Sequence, residues 1–502
     1  MPMPTTDSPA ALPDWSTIRT DEAACLHGIA VELSGWMIPL DLASPHAGYF
    51  LLAADEPCCG GCVPRDPASC IEVFARGEVP VSAHAVRLRG RLERLVDDPA
   101  GWRYRLVDAV ATASNTAMSR RAFLATGVAL GLAACAPGRF AGYTEAQAPD
   151  ASASSAQAAS MSNAAPASSN STATWAPSPG ALTMDMHSHE GHVIVSRLPS
   201  VGANRPLTEI AAPMREGGMH VICLAIVSDT NVTRVSADRK RFEAWRAAQP
   251  GELYALSQVE FQRAGELIER ERLLVVTDAA SLATLPRQGP CVIVSAEGAD
   301  FLEGQLDRVD EAYTQHRLRH LQLTHYRVNE LGDIQTEPPV HGGLTDFGAD
   351  VVRRCNRLGI VVDIAHGTYD LVKRAAATTT KPLVLSHTAL ATHPGPRSRL
   401  ITGDHARAVA DTGGVIGVWP SSGSFHDLQG MAHGMRRMVD VVGVEHVGLG
   451  TDMLGFISPP VFRSYRQLPA LGDALRQAGF SQPETEQILG GNYRRVFEAS
   501  MA

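Results

Sequence analysis

From about residue 181 onward, short apolar runs rich in β-branched residues alternate with longer segments whose apolar positions recur at helical spacing. The runs at 221–227, 273–276, 292–294, 320–323, 359–364, 383–385, 415–418 and 447–450 read as strands. Their lack of in-and-out alternation marks strands covered on both faces, as in a parallel sheet. Amphipathic segments between them, at 239–248, 344–358 and 404–411, read as helices. Strand-then-helix alternation predicts a parallel α/β fold, and residues 181–502 are somewhat more than the roughly 250 residues of a (βα)8 barrel. Upstream, runs at 30–39, 49–53, 71–74, 86–92 and 102–107 alternate apolar and polar positions between turn residues, which predicts a small β-rich domain within residues 1–117.

Several of the later runs end in a side chain suited to metal binding or proton transfer. V-V-D-I-A-H closes on His366 and L-S-H on His387. T-M-D-M-H-S-H carries His187 and His189, V-I-V-S-A-E ends on Glu297, and H-V-G-L-G-T-D ends on Asp452. In a βα barrel the carboxyl ends of the strands face the active site. Residues far apart in sequence therefore converge, and this set is chemically sufficient for a binuclear metal site. Asp185 and Asp363, just before the histidines, read as supporting residues. His192, His316, His320, His341, His393 and His405 read as ordinary surface or core histidines. A serine-nucleophile hydrolase is disfavoured, because the chain contains no G-x-S-x-G.

Composition narrows the partners. The 502 residues have an ordinary apolar fraction of 45% and a net charge of −9, which gives no reason to expect nucleic acid or an anionic membrane surface. Cys25, Cys58, Cys59, Cys62 and Cys70 fall in the first seventy residues, and the Cys59-x-x-Cys62 spacing suits a metal or redox pair as well as plain reduced thiols. Cys223, Cys291 and Cys355 sit singly in apolar segments, as buried free thiols do.

Met118-Ser119-Arg120-Arg121-Ala122-Phe123-Leu124 has the form of a twin-arginine export signal. The apolar stretch after it, too short for a spanning helix, ends at Leu132-Ala133-Ala134-Cys135, which resembles a lipobox. Residues 118–135 thus predict export and a membrane anchor through lipid on Cys135, with the enzyme periplasmic or membrane-attached. Because the signal is internal, either translation starts at Met118 or residues 1–117 stay in the cytoplasm. Residues 136–180, rich in Ala, Ser and Pro, predict a disordered tether.

Ordered motifs carry a resemblance. L-T-H-Y-R-V-N at 323–329, G-L-T-D-F-G at 343–348, N-R-L-G at 356–359 and V-D-I-A-H at 362–366 are followed by S-H-T at 386–388, G-G-V-I-G-V at 413–418, V-G-L-G-T-D at 447–452 and G-G-N-Y at 490–493. Together they resemble the membrane (renal) dipeptidase family over residues 181–502. The resemblance implies a TIM-like barrel with two zinc ions, held by His187, His189, Glu297, His366 and His387, Glu297 bridging both. It implies Asp452 as proton carrier, His325 at the substrate and developing oxyanion, and Arg399, or Arg397 beside it, as the grip on the substrate carboxylate. The family's first motif is usually His-x-Asp; here it is His187-Ser188-His189, which exchanges a carboxylate for an imidazole. The implied function is zinc-dependent hydrolysis of dipeptides by a metal-bridged hydroxide. The His189 exchange keeps hydrolysis of an N-acyl amino acid or a lactone in play, and a non-catalytic peptide-binding lipoprotein is the reading from outside enzymology. A homodimer is left open.

Overall fold

The structure, a computed structural model, describes residues 12–39, 46–57, 64, 66–82, 84–95, 102–112, 174–197, 202–236, 241–395, 397–457 and 460–502. The export and lipobox segment 118–135, Cys58, Cys59 and Cys62, and residues 136–173 of the expected tether lie outside the described residues. Among the described residues no helix is long and apolar enough to cross a membrane.

Five strands near the start close on themselves: β1 (Ala30–Pro39), β2 (His46–Ala53), β3 (Cys70–Pro80), β4 (Val86–Arg94) and β5 (Tyr104–Ala111). Their order is β1-β2-β3-β5-β4, with β3 and β5 parallel. Closure leaves no free edge, as in the five-stranded barrels of OB-folds. The alternation of β4 explains its place: Leu88, Gly90 and Leu92 point into the barrel, while Arg87 and Arg91 point out and pair with Glu32 and Asp108. Val31, Leu33, Leu52, Val73 and Leu106 complete that interior.

The later strands are β6 (Met184–Ser188), β7 (Val221–Val227), β8 (Thr233–Val235), β9 (Phe242–Ala244), β10 (Leu274–Val275), β11 (Cys291–Glu297), β12 (Leu318–Gln322), β13 (Val361–Asp363), β14 (Val384–Thr388), β15 (Val415–Val418) and β16 (Val447–Leu449), of which β8 and β9 form a sheet of their own. Eight of these run in parallel in the order β6-β7-β11-β12-β13-β14-β15-β16. Past the end of β16, Ser188 bridges Met453, and Asp452 N–H donates to His187 O at 2.9 Å, so the last strand meets the first. Helices such as Glu252–Glu271, Asp346–Leu358, Tyr369–Thr378 and Leu428–Val442 cover the outside. The T-D-F-G motif is the start of one of them: Thr345 Oγ1 accepts from Gly348 N as the N-cap. The result is the TIM-like barrel that the alternation of runs implied.

Two expected elements differ. Of the segment 239–248, residues 241–248 are described and are not a helix; β9 pairs antiparallel with β8, Phe242 opposite Val235. Burial of the Phe242 ring against Tyr326 fixes the segment as extended, overriding its helical pattern. The run at 273–276 supplies β10, two residues long, which pairs with the start of β11 off the ring.

Strand periodicity sorts side chains between two interiors. On β7, Ile222, Leu224 and Ile226 pack toward the helices, while Val221 and Cys223 face the lumen. The lumen floor is apolar: Met186, Cys223, Ile293, Val361, Val384 and Val415 meet Tyr493, Val496 and Phe497 of the helix Asn492–Met501. Above it the lumen turns polar, because Cys291, Ile293, Ser295 and Glu297 share one face of β11 and the carboxylate comes last. Gly417 and Gly450 let neighbouring strands approach: a Cβ at either position would stand 1.7 Å from Ser386 O.

The loop after β6 is pinned from the helix Glu252–Glu271. Buried Glu260 accepts from Val195 N at 2.8 Å, and its other oxygen has no partner among the described residues. Burial pushes its carboxyl up to about 8, against the Val195 hydrogen bond and the nearby charge of Arg263. In the unfolded chain the group titrates near 4.5. The stability that Glu260 contributes is therefore fully present below about 4.5 and is lost as pH rises toward about 8, as the unfolded chain gives up a proton that the folded one keeps. Glu260→Gln keeps an acceptor and removes the titration. Its melting temperature should match the native protein's at pH 5 and exceed it at pH 8 by roughly 2–4 °C or more; a difference independent of pH would contradict the assignment.

Candidate metal centre and active site

Glu297 is the centre of the site. Its Oε1 lies 3.1 Å from His366 Nε2, 3.4 Å from His387 Nε2 and 3.5 Å from His187 Nε2. Its Oε2 lies 3.1 Å from His189 Nε2 and 3.3 Å from His325 Nε2. The imidazoles also face one another, His187 and His189 at 3.2 Å and His366 and His387 at 3.0 Å between Nε2 atoms. Asp452 Oδ1 completes the ring, 3.5 Å from His189 Nε2. All are buried. The six residues expected from the strand ends are thus brought together, and His325 with them.

The donor set fits divalent metal. His187, His189 and Glu297 form one group whose ligand atoms lie within 4.8 Å of one another; Glu297, His366 and His387 form a second; His187, His387 and Asp452 form a third. Imidazole nitrogen and carboxylate oxygen are zinc ligands. The outer edges of two rings are held: His189 Nδ1 donates to Ala225 O at 2.7 Å, leaving Nε2 free to ligate, and His387 Nδ1 lies 2.8 Å from Ser386 Oγ. Burial alone would raise the Glu297 carboxyl, but the charges of His325 and His187 outweigh it and hold the group well below the usual range. Burial likewise opposes ionisation of Asp452, and the hydrogen bond with His189 outweighs it.

Two buried aspartates fix the strand ends. Asp185 Oδ1 accepts from Thr451 N at 2.9 Å and His187 N at 3.2 Å, and its Oδ2 accepts from Thr451 Oγ1 at 2.5 Å and Tyr465 Oη at 2.7 Å. It ties β6 to the end of β16, and so His187 to Asp452. Asp363 does the same between β13 and β14: its Oδ1 accepts from Ala365 N and Ser386 N, both at 3.0 Å, and its Oδ2 meets His320 Nε2 at 3.1 Å. The supporting role expected for both aspartates has these partners. His320, read as ordinary, is buried between Asp363 and Tyr493 Oη, 2.7 Å from its Nδ1. His366 and Asp452 themselves have φ of 68° and 48°, left-handed conformations that cost about 1–3 kcal/mol each in side chains other than glycine. The strain is borne at two site residues and sets where their side chains point.

Around the centre lie residues that the strand-end pattern did not single out. Asp229, two residues past β7, has its Oδ1 2.8 Å from His325 Nδ1 and so holds the ring with Nε2 toward Glu297. It is a carboxylate just after a wholly buried strand, the same signal that pointed to Glu297. Arg197 and Tyr326 come from irregular segments and Phe242 from the three-residue β9, and none of these carries such a signal. A tight inner pocket, with room for about one water, is lined by His189, Ile194, Arg197, Val227, Glu297 and His325 among others. An outer cleft is lined by Arg241, Arg397, Arg399, Trp419 and Phe456; Phe242, Tyr326, Asp452 and Gly455 line both. Arg399 is buried, donates to Gln335 Oε1 at 2.6 Å and keeps an unpartnered Nε; Arg397 lies in the same cleft but is exposed.

A model of the membrane dipeptidase family, peptidase family M19, matches residues 207–502, beginning after β6. The dipeptidase AclJ of Aspergillus oryzae is 28% identical over 213 residues, which are 41% of this chain and 50% of that protein. An uncharacterized protein in the pqqA 5′ region of Klebsiella pneumoniae is 30% identical over 182 residues, 33% of this chain and 65% of that protein. The chain therefore spans about half to two thirds of the length of these relatives. A metallopeptidase from Rhodobacter sphaeroides, crystallised with a phosphinate mimic of the dipeptide L-Ala-D-Ala, shares the fold with a TM-score of 0.53 and 23% identity, over 64% of this chain and 99% of that one.

The tie between first and last strand can be tested without a ligand. Tyr465 Oη lies 2.7 Å from both Asp185 Oδ2 and Ser188 Oγ in a buried setting. Tyr465→Phe deletes that one atom and should lower unfolding free energy in urea by about 1–3 kcal/mol; an unchanged denaturation midpoint would mean that the cluster does not hold the closure.

Proposed function

Since this chain belongs to the membrane dipeptidase family, we propose that it is a metal-dependent hydrolase of dipeptides and other small amides with a free carboxylate. The observation that carries this reading is the convergence of five imidazoles on one buried carboxylate, with a second carboxylate and a buried arginine at the mouth. His187, His189 and Glu297 would hold one zinc ion, and Glu297, His366 and His387 the second. Bound there, such ions supply Lewis acidity, making water acidic at neutral pH and polarising a carbonyl.

The remaining steps fall to the chain's own groups. Arg399 holds the substrate carboxylate in the outer cleft, its guanidinium kept in place by Gln335 and facing the Trp419 ring 5.5 Å away. His325, held by Asp229, presents Nε2 as a donor to the oxygen that gains charge as the amide is attacked. Asp452 takes the proton of the attacking water and delivers it to the leaving amine. Among the described residues lining the inner pocket there is no serine, threonine or cysteine. The twin-arginine pattern and Cys135 support an enzyme exported and lipid-anchored outside the cytoplasmic membrane, with a small peptide as its partner. One observation favours a second reading, hydrolysis of N-acyl amino acids: His189 replaces the carboxylate usual in the family's first motif, which removes one negative charge from the site.

The full-length protein should bind about two zinc ions, hydrolyse dipeptides, lose activity to a chelator and regain it on addition of zinc. Asp452→Asn should keep the metal and lower kcat about 10²–10⁴-fold. Arg399→Ala should raise KM for dipeptides far more than for their C-terminal amides. Turnover confined to N-acyl amino acids would move the function to the second reading; metal-free, inactive protein would leave a binding lipoprotein.

A further inference from the structure

Arg197 is a cation in the inner pocket that the proposed reaction leaves unused. It projects from the loop after β6 into the pocket that also contains His189, Glu297 and His325. Its guanidinium carbon lies 4.3 Å from the centre of the Phe242 ring, and its Nε reaches Thr233 Oγ1 at 3.4 Å, a long hydrogen bond. No carboxylate among the described residues pairs with it. The two acids nearest in charge are otherwise committed. Asp229 binds His325 Nδ1 at 2.8 Å and Tyr326 N at 3.2 Å, and Glu260 binds Val195 N, which anchors the same loop. A guanidinium stacked on an aromatic face, with most of its donors unspent, is a built receptor for a carboxylate.

The position says which part of a substrate it meets. Arg399 lines the outer cleft and not the inner pocket; Arg197 lines the inner pocket and not the outer cleft. Phe242, Tyr326 and Asp452 stand along both. A dipeptide whose C-terminal carboxylate is on Arg399, with its amide at the Glu297 cluster, extends its amino-side residue toward β6 and β7, where Arg197 is. A lysine side chain there would meet like charge, whereas an acidic side chain would meet its counterion. Resting on the dipeptidase reading, we propose that Arg197 makes this enzyme selective for substrates with a second negative charge on the acyl side of the scissile amide. Dipeptides beginning in glutamate or aspartate, and amides of dicarboxylic acids, belong to this class.

The test compares Glu-Ala, Gln-Ala, Ala-Ala, Lys-Ala and N-succinyl-Ala with the full-length zinc-loaded protein. Glu-Ala should exceed Gln-Ala in kcat/KM at least tenfold, and Lys-Ala should be the poorest dipeptide. In Arg197→Gln the Glu-Ala to Gln-Ala ratio should fall toward one, and in Arg197→Glu the order of Glu-Ala and Lys-Ala should invert. The native ratio needs no variant, so a misfolded variant cannot rescue or sink the idea by itself. Dipeptide turnover with no preference for the acidic residue, or a preference that survives Arg197→Gln, overturns this inference and leaves the dipeptidase reading standing. Zinc-loaded protein that turns over none of the panel overturns both.

Discussion

A single carboxylate with two oxygens imposes the geometry of this molecule. Glu297 must meet histidines that come from β6, from β14 and from the loops after β12 and β13, and it must do so where water is excluded. An isolated buried carboxylate would be several kcal/mol unfavourable and would take up a proton instead. Its ionised form is tenable only if all its neighbours arrive in register. Closed parallel strands deliver that register, because each strand end is fixed by hydrogen bonds to two neighbours. The polar upper lumen, the glycines beside Ser386 and the two aspartate ties all serve the same requirement.

The charge count around the centre is low for a donor set suited to divalent metal. Four imidazoles are neutral when ligating, so Glu297 and Asp452 carry all of the ligand charge. With His189 in place of an acid and Arg197 nearby, the side of the pocket under β6 and β7 tends to positive. The opposite rim, with Arg399 and Trp419, is positive as well. A ligand lying across the centre thus finds a cation near each end, a field that suits dianions better than zwitterions.

Much of this was legible in the chain because the signals are local. A run such as Val221–Val227 has one physical explanation, and strand periodicity then puts a terminal Glu297 on the lumen face with Ile293 and Ser295. His187, His366 and His387 are each an odd number of residues from Met186, Val361 and Val384, which face the lumen, so periodicity alone does not place them. The irregularities at Asp185/Ser188 and Leu385/Thr388 and the left-handed turn at His366 bring them in. What stayed hidden depends on long-range packing. The 239–248 segment reads as helix until Phe242 is seen to need Tyr326, eighty-odd residues later. Arg197 sits on an irregular loop, where sequence spacing carries no direction, and its lack of a carboxylate partner among the described residues is a fact of three dimensions. His320 looked ordinary because nothing near it in sequence announces Asp363 and Tyr493. Asp229 is the exception: its signal was present at the end of β7.

The closure of β6 on the end of β16 bears on how the protein comes into being. Asp185 and Thr451, whose side chains join, are 266 residues apart. Loops of that length close late and slowly on a folding pathway. His187 and Asp452 therefore have no fixed relation until nearly the whole chain has been synthesised and the ring is complete. The helix Asn492–Met501, which plugs the lumen floor, arrives later still. Intermediate forms can gather Glu297, His366 and His387, but not the full donor set. The complete cluster of buried donors is thus a property of the finished barrel alone.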